Sequence, residues 1–281
     1  MKILITGANG MVARAAIKHC HALGDDVAAF TRSELDITNR DAVFDTLVSV
    51  RPDAVINCAA FTDVDGAEEK REICFAVNAS GAENLALASK EIDRPFLTIS
   101  TDYVFGGDKS GFYDQRDTPD PIGYYGATKY DGEILARKAY ARSIVVRSGW
   151  IFGNGGTNFL STMHSFLEKG NTIKAIYDAF GTPTYADDLV VRLRQLIGLD
   201  LPLIFHVKNS GDLASFSDFA EEICRINGLN TALVEKIPGS ALNRPAKRPR
   251  NSGLECLFSE RLGLKPLRDW KDALASYLSA A

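Results

Sequence analysis

The stretch KILITGANGMVARA, residues 2–15, decides how the fold is predicted. Its first part, KILIT, is a short apolar run typical of a strand buried on both faces of a parallel sheet. Gly7 and Gly10 then take the first two positions of a Gly-x-x-Gly-x-x-Gly pattern, and Ala13 takes the third. Gly7 permits a tight turn, Gly10 lets a pyrophosphate approach the helix N-terminus, and the third position needs only a small residue. This order predicts a dinucleotide-binding unit, against the alternative of an ordinary glycine-containing turn.

The same alternation continues along the chain. Further apolar runs of strand length are DVAAF (26–30), AVINC (54–58), FLTIS (96–100), SIVVRS (143–148) and LIFHV (203–207). Between them lie stretches with helical periodicity at 12–23, 39–50 and 78–91. Strands that alternate with helices indicate βαβ crossovers, so we predict an α/β fold with a Rossmann-type doubly wound parallel sheet.

The pattern changes after Trp150. FGNGGTNF (152–159) is loop-like, and the later segments mix helices at about 186–198, 216–227 and 269–278 with a strand and a Pro- and Arg-rich loop at 244–250. We therefore expect a dinucleotide-binding domain over 1–150, with a return of about 185–207 to its sheet. Residues 151–281 are expected to form mainly a smaller α/β substrate-binding domain.

Composition narrows the class of protein. The chain has 281 residues and a formal net charge of −4, so it lacks the basic face that binds nucleic acid; the run RPAKRPR is short and local. Its five cysteines are scattered without a Cys-x-x-Cys pattern, and His19 and His21 do not share a helix face, so we expect no disulfide framework and no metal site. We see no signal peptide and no apolar stretch of membrane-spanning length, and we expect a cytoplasmic protein without a membrane partner.

The end of the second predicted strand bears on which dinucleotide is bound. An NAD-selective site usually places Asp or Glu there to hold the ribose 2′-hydroxyl. Here Thr31, Arg32 and Ser33 occupy the place, and no acid follows until Glu34. An arginine and two hydroxyls suit a 2′-phosphate, which favours NADPH. Use of NADH stays open, because Arg32 is also explained as a solvated loop residue.

Two adjacent tyrosines in YYGATKYDGE (124–133) raise the question of which one acts. Tyr125 is four residues before Lys129, so on a helix the two share a face, whereas Tyr124 pairs in the same way with uncharged Thr128. A neighbouring ammonium and an oxidised nicotinamide lower the pKa of a phenol. We therefore predict that Tyr125 is the acid or base and that Lys129 assists it. Thr101, at the end of the fourth strand in STDYVF, is expected to position the substrate oxygen.

At this point the chain resembles the extended short-chain dehydrogenases/reductases, and more narrowly the dTDP-4-dehydrorhamnose reductase family. The motifs that carry the resemblance are TGANGMV, LDITN, RPDAVINCAAFTDVDGAE, AVNASGAENLA, STDYVF, YGATKYDGE, RSGWIFG and RPAKRPRNSGL. They span nearly the whole chain. STDYVF together with YGATK is specific to this branch, whereas the glycine motif and Tyr-x-x-x-Lys are shared across the superfamily.

The resemblance implies roles for single residues. Besides Gly7 and Arg32, the cofactor contacts it implies are Gly10, Met11, Val12, Asp36, Ile37, Ala59, Ala60, Phe61 and Thr62, with Tyr125 and Lys129. The substrate contacts are Thr101, Asp102, Tyr103 and Trp150, whose ring is expected to form a wall of the sugar pocket. Phe61 and Gly66 depart from the family's usual residues in a loop that faces the substrate, which leaves the exact sugar open.

The function that follows from the resemblance is NADPH-dependent reduction of the C4 keto group of a dTDP-4-keto-6-deoxyhexose, giving dTDP-L-rhamnose. Three alternatives stay open. The chain acts on another nucleotide-linked 4-keto sugar, or it is a nucleotide-sugar epimerase or dehydratase, or it is a non-catalytic NADP-binding regulatory subunit. The lack of an NAD-selective acid weighs against the second. A homodimer is common in the family.

Overall fold

A six-stranded parallel sheet runs through the centre of the computed structural model, which describes residues 1–280. The strands are β1 (Lys2–Thr6), β2 (Asp26–Phe30), β3 (Ala54–Asn57), β4 (Phe96–Thr101), β5 (Ser143–Ser148) and β6 (Ile204–His206). Their order across the sheet is β6-β5-β4-β3-β1-β2. The direction of winding reverses beside β1, which opens a crevice at the carboxyl ends of the strands. The predicted Rossmann-type doubly wound fold is confirmed.

Helices cover both faces of this sheet, and further helices lie in the segments beyond β5. They are α1 (Met11–Ala22), α2 (Arg40–Val50), α3 (Gly81–Glu91), α4 (Tyr124–Ala139), α5 (Phe159–Glu168), α6 (Ala186–Leu199), α7 (Phe216–Asn227) and α8 (Trp270–Ala280). Short helical segments at Gly66–Glu69 and Arg71–Phe75 and a π-helical turn at Ala76–Ser80 lead into α3. Single 3₁₀ turns lie at Asp102–Val104, Thr231–Leu233, Gly239–Ala241 and Glu260–Leu262. Within residues 1–280, no helix is both long and apolar enough to cross a membrane.

Side chains of the strands alternate between two apolar layers, as the pleat of a strand requires. Ile3 and Ile5 point to the layer beneath α1 and α6, where they join Leu189 and Phe205. Leu4 points to the opposite layer, with side chains of α2, α3 and α4. Both faces of the sheet are therefore buried, which explains why its strands read as continuous apolar runs rather than as alternating ones.

A separate apolar cluster holds the segments beyond β5 together. Its fully buried members include Phe152, Met163, Phe219 and Leu274, with Trp270 and Tyr277 nearly so. Short strand pairs frame it: Ile173–Ile176 with Val234–Ile237, Ile151–Phe152 with Thr184–Tyr185, Phe180–Gly181 with Ala214–Ser215, and Asn209–Ser210 with Leu267–Asp269. This cluster lies beyond the carboxyl ends of β4 and β5, so it can wall a site there.

The structure differs from the predicted elements in four places. Helix α5 and the strands at 173–176 and 234–237 were not predicted, because each is short and its polar residues obscure the period. The Asn158 side chain accepts a hydrogen bond from the amide of Ser161 (2.9 Å) and so caps α5 inside the predicted loop. Residues 78–80 of the helix predicted at 78–91 belong to the π-helical turn Ala76–Ser80, and α3 itself begins at Gly81.

Residues 244–255, called here the C-terminal strap, are bonded through their backbone both to the segment that follows β4 and to the short strand at Phe180–Gly181. The amide of Tyr113 donates to the carbonyl of Gly253 (2.7 Å), and the amide of Phe180 donates to that of Arg250 (2.8 Å). The backbone of Gly107 lies so close to Pro249 that an added Cβ would stand 2.7 Å from its Cα. The strap therefore passes directly beside the segments that follow β4.

Candidate active site

The glycine turn after β1 is shaped to accept an anion. Gly7 has a φ of 71°, and an added Cβ would lie 2.8 Å from the backbone of Ala59, so only glycine fits. The amide of Gly10 donates to the carbonyl of Gly7 (2.8 Å), and helix α1 starts at the next residue without a side-chain cap. The first amides of α1 therefore remain free for a ligand. Ala13 is fully buried against the sheet, as its position in the pattern requires.

Both a positively charged and a negatively charged side chain, Arg32 and Glu34, lie at the end of β2. The Arg32 side chain is 74% exposed and lies 3.7 Å from the carboxylate of Asp36. The Glu34 carboxylate folds back onto the strand end, where it accepts hydrogen bonds from the amide and the hydroxyl of Thr31, each at 2.8 Å. Glu34 lies beyond the expected position in the sequence, but its carboxylate thus reaches the end of β2 in the structure. A carboxylate here suits a ribose 2′-hydroxyl, whereas Arg32 suits a 2′-phosphate.

The loop after β3 is held by an asparagine that the sequence did not single out. The Asn78 side chain lies in the π-helical turn, is 3% exposed, and bonds both backbone groups of Phe61, accepting at 2.8 Å and donating at 3.1 Å. π-Turns are rare and concentrate at functional sites. The arrangement fixes the loop Ala59, Ala60, Phe61 and Thr62, which faces the crevice beside Gly7. In the sequence, Asn78 stands out only as part of AVNAS (76–80), a segment of one of the motifs that carry the family resemblance.

Helix α4 turns Tyr125 and Lys129 towards the end of β4. Lys129 is 6% exposed, and its ammonium donates to the carbonyl of Ile99 (2.6 Å). Burial lowers the pKa of Lys129 to about 8, while the charge of Glu133 one turn further on opposes that shift. Lysine is therefore held as a desolvated cation at the carboxyl end of the sheet.

The state of Tyr125 corrects one expectation. Burial raises the pKa of the Tyr125 phenol above its usual value, the Thr101 hydroxyl opposes that shift, and the charge of Asp102 adds to it. Lys129, which was predicted to lower this pKa, is not among the main groups that set it, and its ammonium donates to the Ile99 carbonyl. Tyr125 is thus a neutral phenol near neutral pH, which is the protonation state from which it can give a proton.

Tyr124 points to a different environment. Its amide donates to the carboxylate of Glu68 (2.8 Å), and its ring lies 4.7 Å from the guanidinium of Arg71. Both contacts are with the helical segments that precede the π-turn. The i, i+4 spacing to Lys129 therefore selected the tyrosine that faces β4.

Thr101 and Asp102 stand opposite Tyr125. The Thr101 hydroxyl donates to Asp102 Oδ1 (3.0 Å) and accepts from the amide of Tyr103 (3.2 Å). Asp102 is 3% exposed, and its Oδ2 has no hydrogen-bond partner among the described residues. Burial raises the pKa of Asp102 to about 6, against the hydroxyls of Ser252 and Thr101. The ring of Tyr103 meets that of Tyr125 edge to face at 6.2 Å.

This buried carboxyl predicts a pH dependence of stability. Burial raises the pKa of Asp102 from 3.8 in the unfolded chain to about 6 in the folded protein. Ionisation of Asp102 therefore costs no stability at a pH below the unfolded pKa, and this cost grows as pH rises through the folded pKa. We expect Asp102→Asn to gain ~2–3 kcal/mol of unfolding free energy relative to wild type between pH ~4 and pH ~8. Urea unfolding across that range measures the difference. Ser148→Ala, which removes another buried unpartnered oxygen, should show no such trend.

Trp150, which was predicted to form a wall of the sugar pocket, follows directly after β5. Its backbone φ of 50° is unusual for a large side chain and turns the indole across the end of β5. The ring stacks on Phe216 at 4.0 Å, and its N–H donates to the Ser252 hydroxyl (3.2 Å). The indole also touches the position where a Cβ of Gly181 would lie. Trp150 therefore connects the end of the sheet to the smaller apolar cluster.

The C-terminal strap brings arginines to the rim of the crevice. The Arg248 guanidinium binds the Asp65 carboxylate through two bonds of 2.7 Å. Arg244 forms no ion pair within residues 1–280, and desolvation and the charge of Arg248 lower its pKa. Both arginines lie close enough to Tyr103 to act on its pKa. An unpaired guanidinium beside the site is suited to a phosphate.

A buried ion pair lies behind Lys129. The Glu133 carboxylate accepts three hydrogen bonds from Arg147, with the shortest at 2.6 Å, and one from the Ser100 hydroxyl at 2.5 Å. Glu133 is 2% exposed and Arg147 3%. The guanidinium also lies over the Phe105 ring at 5.2 Å. Helix α4 is thereby anchored to β4 and β5 just behind the reactive side chains.

These features together fit a bound dinucleotide. The glycine turn leaves no room for a Cβ at Gly7 and offers free amides at α1, while Asp36 and Ile37 lie beyond the end of β2. The crevice at the carboxyl-terminal ends of the strands extends from this turn to Tyr125.

Residues 1–280 contain no group of three or more His, Cys, Asp or Glu side chains able to hold a metal ion.

Comparison with known proteins gives consistent matches over the full length. The family model described as RmlD substrate binding domain matches residues 1–281. A dTDP-4-dehydrorhamnose reductase of Mycolicibacterium smegmatis is 40% identical, over 99% of this chain and 85% of that protein. A probable dTDP-4,6-dihydroxy-2-methyloxan-3-one 4-ketoreductase of Streptomyces antibioticus is 36% identical, over 98% and 93% of the two chains.

A solved structure extends the match to three dimensions. The crystal structure of dTDP-4-dehydrorhamnose reductase from Bacillus anthracis, in complex with NADP, superposes with a TM-score of 0.95 at 33% identity. The superposition covers 100% of this chain and 99% of the other. The sheet, the helices and the smaller cluster thus share one arrangement with that protein.

Proposed function

Because the chain belongs to the RmlD substrate binding domain family, whose model matches residues 1–281, we propose that it is an NADPH-dependent reductase of the C4 keto group of a dTDP-4-keto-6-deoxyhexose. The substrate we assign is dTDP-4-dehydro-L-rhamnose and the product dTDP-L-rhamnose. The observation that carries the proposal is the meeting of Tyr125, Thr101 and desolvated Lys129 at the carboxyl end of β4, next to a glycine turn suited to a dinucleotide.

Each of these residues has a distinct task in the proposed reaction. Bound NADPH supplies hydride to the carbonyl carbon. Thr101 orients the carbonyl oxygen by a hydrogen bond, and Tyr125 gives that oxygen its phenolic proton. The ammonium of Lys129 stabilises the phenolate that remains. Trp150 and the Phe216 ring stacked on it exclude water from one side of the sugar.

The phosphates of the nucleotide sugar have a candidate partner in the strap. Arg244 has no carboxylate partner within residues 1–280, and its neighbour Arg248 is already bound to Asp65. The resulting excess of positive charge favours a diphosphate at the rim of the crevice. Arg244 is therefore the arginine that we assign to the nucleotide end of the substrate.

NADPH is the cofactor that we assign, with NADH as a weaker substitute. We expect Arg32→Ala to weaken NADPH binding by ~10-fold and to leave NADH binding unchanged, because only the 2′-phosphate uses the guanidinium. Glu34→Gln removes the carboxylate at the same strand end and should shift preference the other way, towards NADPH. Fluorescence titration with each dinucleotide measures both effects; equal loss of NADPH and NADH in Arg32→Ala contradicts the assignment.

A second candidate is reduction of a different nucleotide-linked 4-keto sugar. It is favoured by the similarity to the Streptomyces antibioticus 4-ketoreductase and by Phe61 and Gly66, which depart from the family's usual residues in the segment after β3. An epimerase or dehydratase is disfavoured because the relatives described above, at 33–40% identity, are reductases. A purely regulatory role leaves unexplained why the Tyr125, Thr101 and Lys129 arrangement is intact.

We further propose a cytoplasmic homodimer in which residues 1–150, with 185–207, bind the dinucleotide and most of 151–281 binds the sugar. The free state of all five cysteines supports a reducing compartment. The separate apolar cluster beyond β5 supports the assignment of dinucleotide binding and sugar binding to different parts of the chain. Sedimentation equilibrium measures the assembly directly.

The experiment that tests the proposal is turnover with a panel of substrates. Purified protein is mixed with NADPH or NADH and with dTDP-4-dehydrorhamnose or another nucleotide-linked keto sugar, and loss of the reduced-nicotinamide absorbance is followed. The proposal expects the highest kcat/KM with NADPH and the dTDP-linked 4-keto-6-deoxy sugar. Faster reduction of a different keto sugar selects the second candidate.

A further inference from the structure

The indole of Trp150 needs a directional contact to lie in one orientation. Its ring stacks on Phe216, with 4.0 Å between the ring centroids and 26° between the ring planes. On its other contact, an added Cβ at Gly181 would stand 2.1 Å from the indole Nε1, so the ring fits only beside a glycine. Stacking does not fix which edge carries the N–H, because half a turn about the Cβ–Cγ bond leaves the ring in the same plane.

The hydroxyl of Ser252 supplies the directional contact. It accepts a hydrogen bond from the Trp150 N–H (3.2 Å), and it is the only partner of that N–H within residues 1–280. An indole N–H can donate but not accept, whereas a serine hydroxyl does both. Ser252 is 1% exposed, so the bond is shielded from water. Loss of the hydroxyl would leave the N–H without its partner.

Ser252 is itself fixed by the backbone of the C-terminal strap. Its amide donates to the carbonyl of Phe180 (2.9 Å), and its hydroxyl lies 3.5 Å from the same carbonyl, to which it donates. The amide of Phe180 donates in turn to the carbonyl of Arg250 (2.8 Å). The two backbone bonds do not involve the serine side chain. Ser252→Ala therefore removes the indole's partner and keeps the path of the strap.

The backbone of Trp150 gives a second reason to expect a restraint on its ring. Its φ of 50° is unusual for a bulky residue. Such conformations persist only where the surrounding structure holds them in place. Phe216 and Gly181 restrict the ring by contact alone, and Ser252 adds the one bond that depends on direction.

We propose that Ser252 is a positioning residue for sugar recognition, which fixes the orientation of the Trp150 indole and acts on the sugar only through that ring. The inference rests on the proposed function, in which Trp150 forms a wall of the sugar pocket. It gives a task to a serine of the strap that lies 102 residues from the tryptophan in the chain.

A first arm of the test needs neither substrate nor dinucleotide. The chain has two tryptophans, so NMR of the ¹⁵N-labelled protein shows two indole N–H resonances, and Trp150→Phe identifies the one that belongs to Trp150. We expect Ser252→Ala to shift this resonance and to speed its hydrogen exchange by ~10-fold or more, while the Trp270 resonance stays in place. An unchanged Trp150 resonance overturns the proposal whether or not the protein reduces a sugar.

The matched control removes another buried serine hydroxyl. Ser89 lies in α3, is 0% exposed, and its hydroxyl has no hydrogen-bond partner among the described residues. Ser89→Ala should leave both indole resonances where they are. A shift of the Trp150 resonance of the same size in Ser89→Ala and Ser252→Ala would show a general loosening of the fold and overturn the assignment.

A second arm separates positioning of the wall from damage to the chemical step. The wall contacts the sugar before and during hydride transfer, so Ser252→Ala should raise KM for the nucleotide sugar by ~5–10-fold and keep kcat within about threefold. KM for NADPH should change by less than about twofold. A loss confined to kcat, or an equal rise of both KM values, overturns the proposal.

A double-mutant cycle shows whether Ser252 acts through the indole. In the Trp150→Phe background, which has no N–H to hold, Ser252→Ala should change KM for the nucleotide sugar by less than about twofold. The same rise in both backgrounds overturns the proposal. If no keto sugar is reduced, the proposed function fails, and the NMR arm decides about Ser252 on its own.

Discussion

Tyr125→Phe is expected to lower kcat for keto-sugar reduction by on the order of 10²–10⁴-fold, because it removes the proton that the carbonyl oxygen must receive. The ring stays in place, so its edge-to-face contact with Tyr103 is kept. Dinucleotide affinity should change by no more than about threefold, since the lost hydroxyl belongs mainly to the chemical step. Steady-state kinetics and a binding titration on the same preparation measure the two quantities.

The matched control for this variant is its neighbour in the chain. Tyr124→Phe removes an equivalent hydroxyl from the residue whose ring lies beside Arg71, and it should retain kcat. A Tyr125→Phe protein with more than about a tenth of wild-type kcat contradicts the role of Tyr125 as proton donor. Equal losses in the two variants point instead to a disturbance of helix α4.

The largest expected effect on stability belongs to the ion pair behind the site. Glu133→Gln leaves the Arg147 guanidinium buried without its carboxylate, and removal of one partner of a buried pair costs ~3–5 kcal/mol. Lys129 also loses the charge that raises its pKa, so that pKa should fall further below about 8. Urea unfolding measures the first effect, and the pH dependence of dinucleotide binding reports the second.

Two further variants identify the origin of the loss. Glu133→Gln combined with Arg147→Met should recover most of the stability, because no unpaired charge is then buried. Glu235→Gln breaks an exposed pair with Lys174 and should change the unfolding free energy by less than about 1 kcal/mol. If Glu133→Gln lowers the unfolding free energy by no more than Glu235→Gln does, the buried ion pair of Glu133 and Arg147 does not anchor α4.

Local patterns were sufficient for the sheet and for the choice of tyrosine. Apolar runs of strand length matched all six strands of the sheet within residues 1–280 to within a residue at each end. Gly7 was interpretable because a positive φ beside a neighbouring strand excludes any side chain. The i, i+4 rule distinguished Tyr125 from Tyr124 because it depends only on helix geometry.

Contacts between distant segments were not predictable in the same way. Asp65 and Arg248 are 183 residues apart, and nothing in either segment encodes that they meet. Asn78 was hidden because a π-turn has no clear sequence period. Glu133 was the exception that was overlooked: it lies four residues after Lys129, on the same face of α4, so the spacing that chose Tyr125 would also have found it.

The central claim is tested most directly by following the hydride. Wild-type protein is given dTDP-4-dehydrorhamnose with NADPH that carries deuterium at the transferable position, and the product is examined by NMR and mass spectrometry. The proposed reaction predicts stoichiometric oxidation of the dinucleotide and a dTDP-6-deoxyhexose with one deuterium at C4. No transfer to this or any other keto sugar from NADPH or NADH, in a protein that demonstrably binds the dinucleotide, would contradict a reductase function.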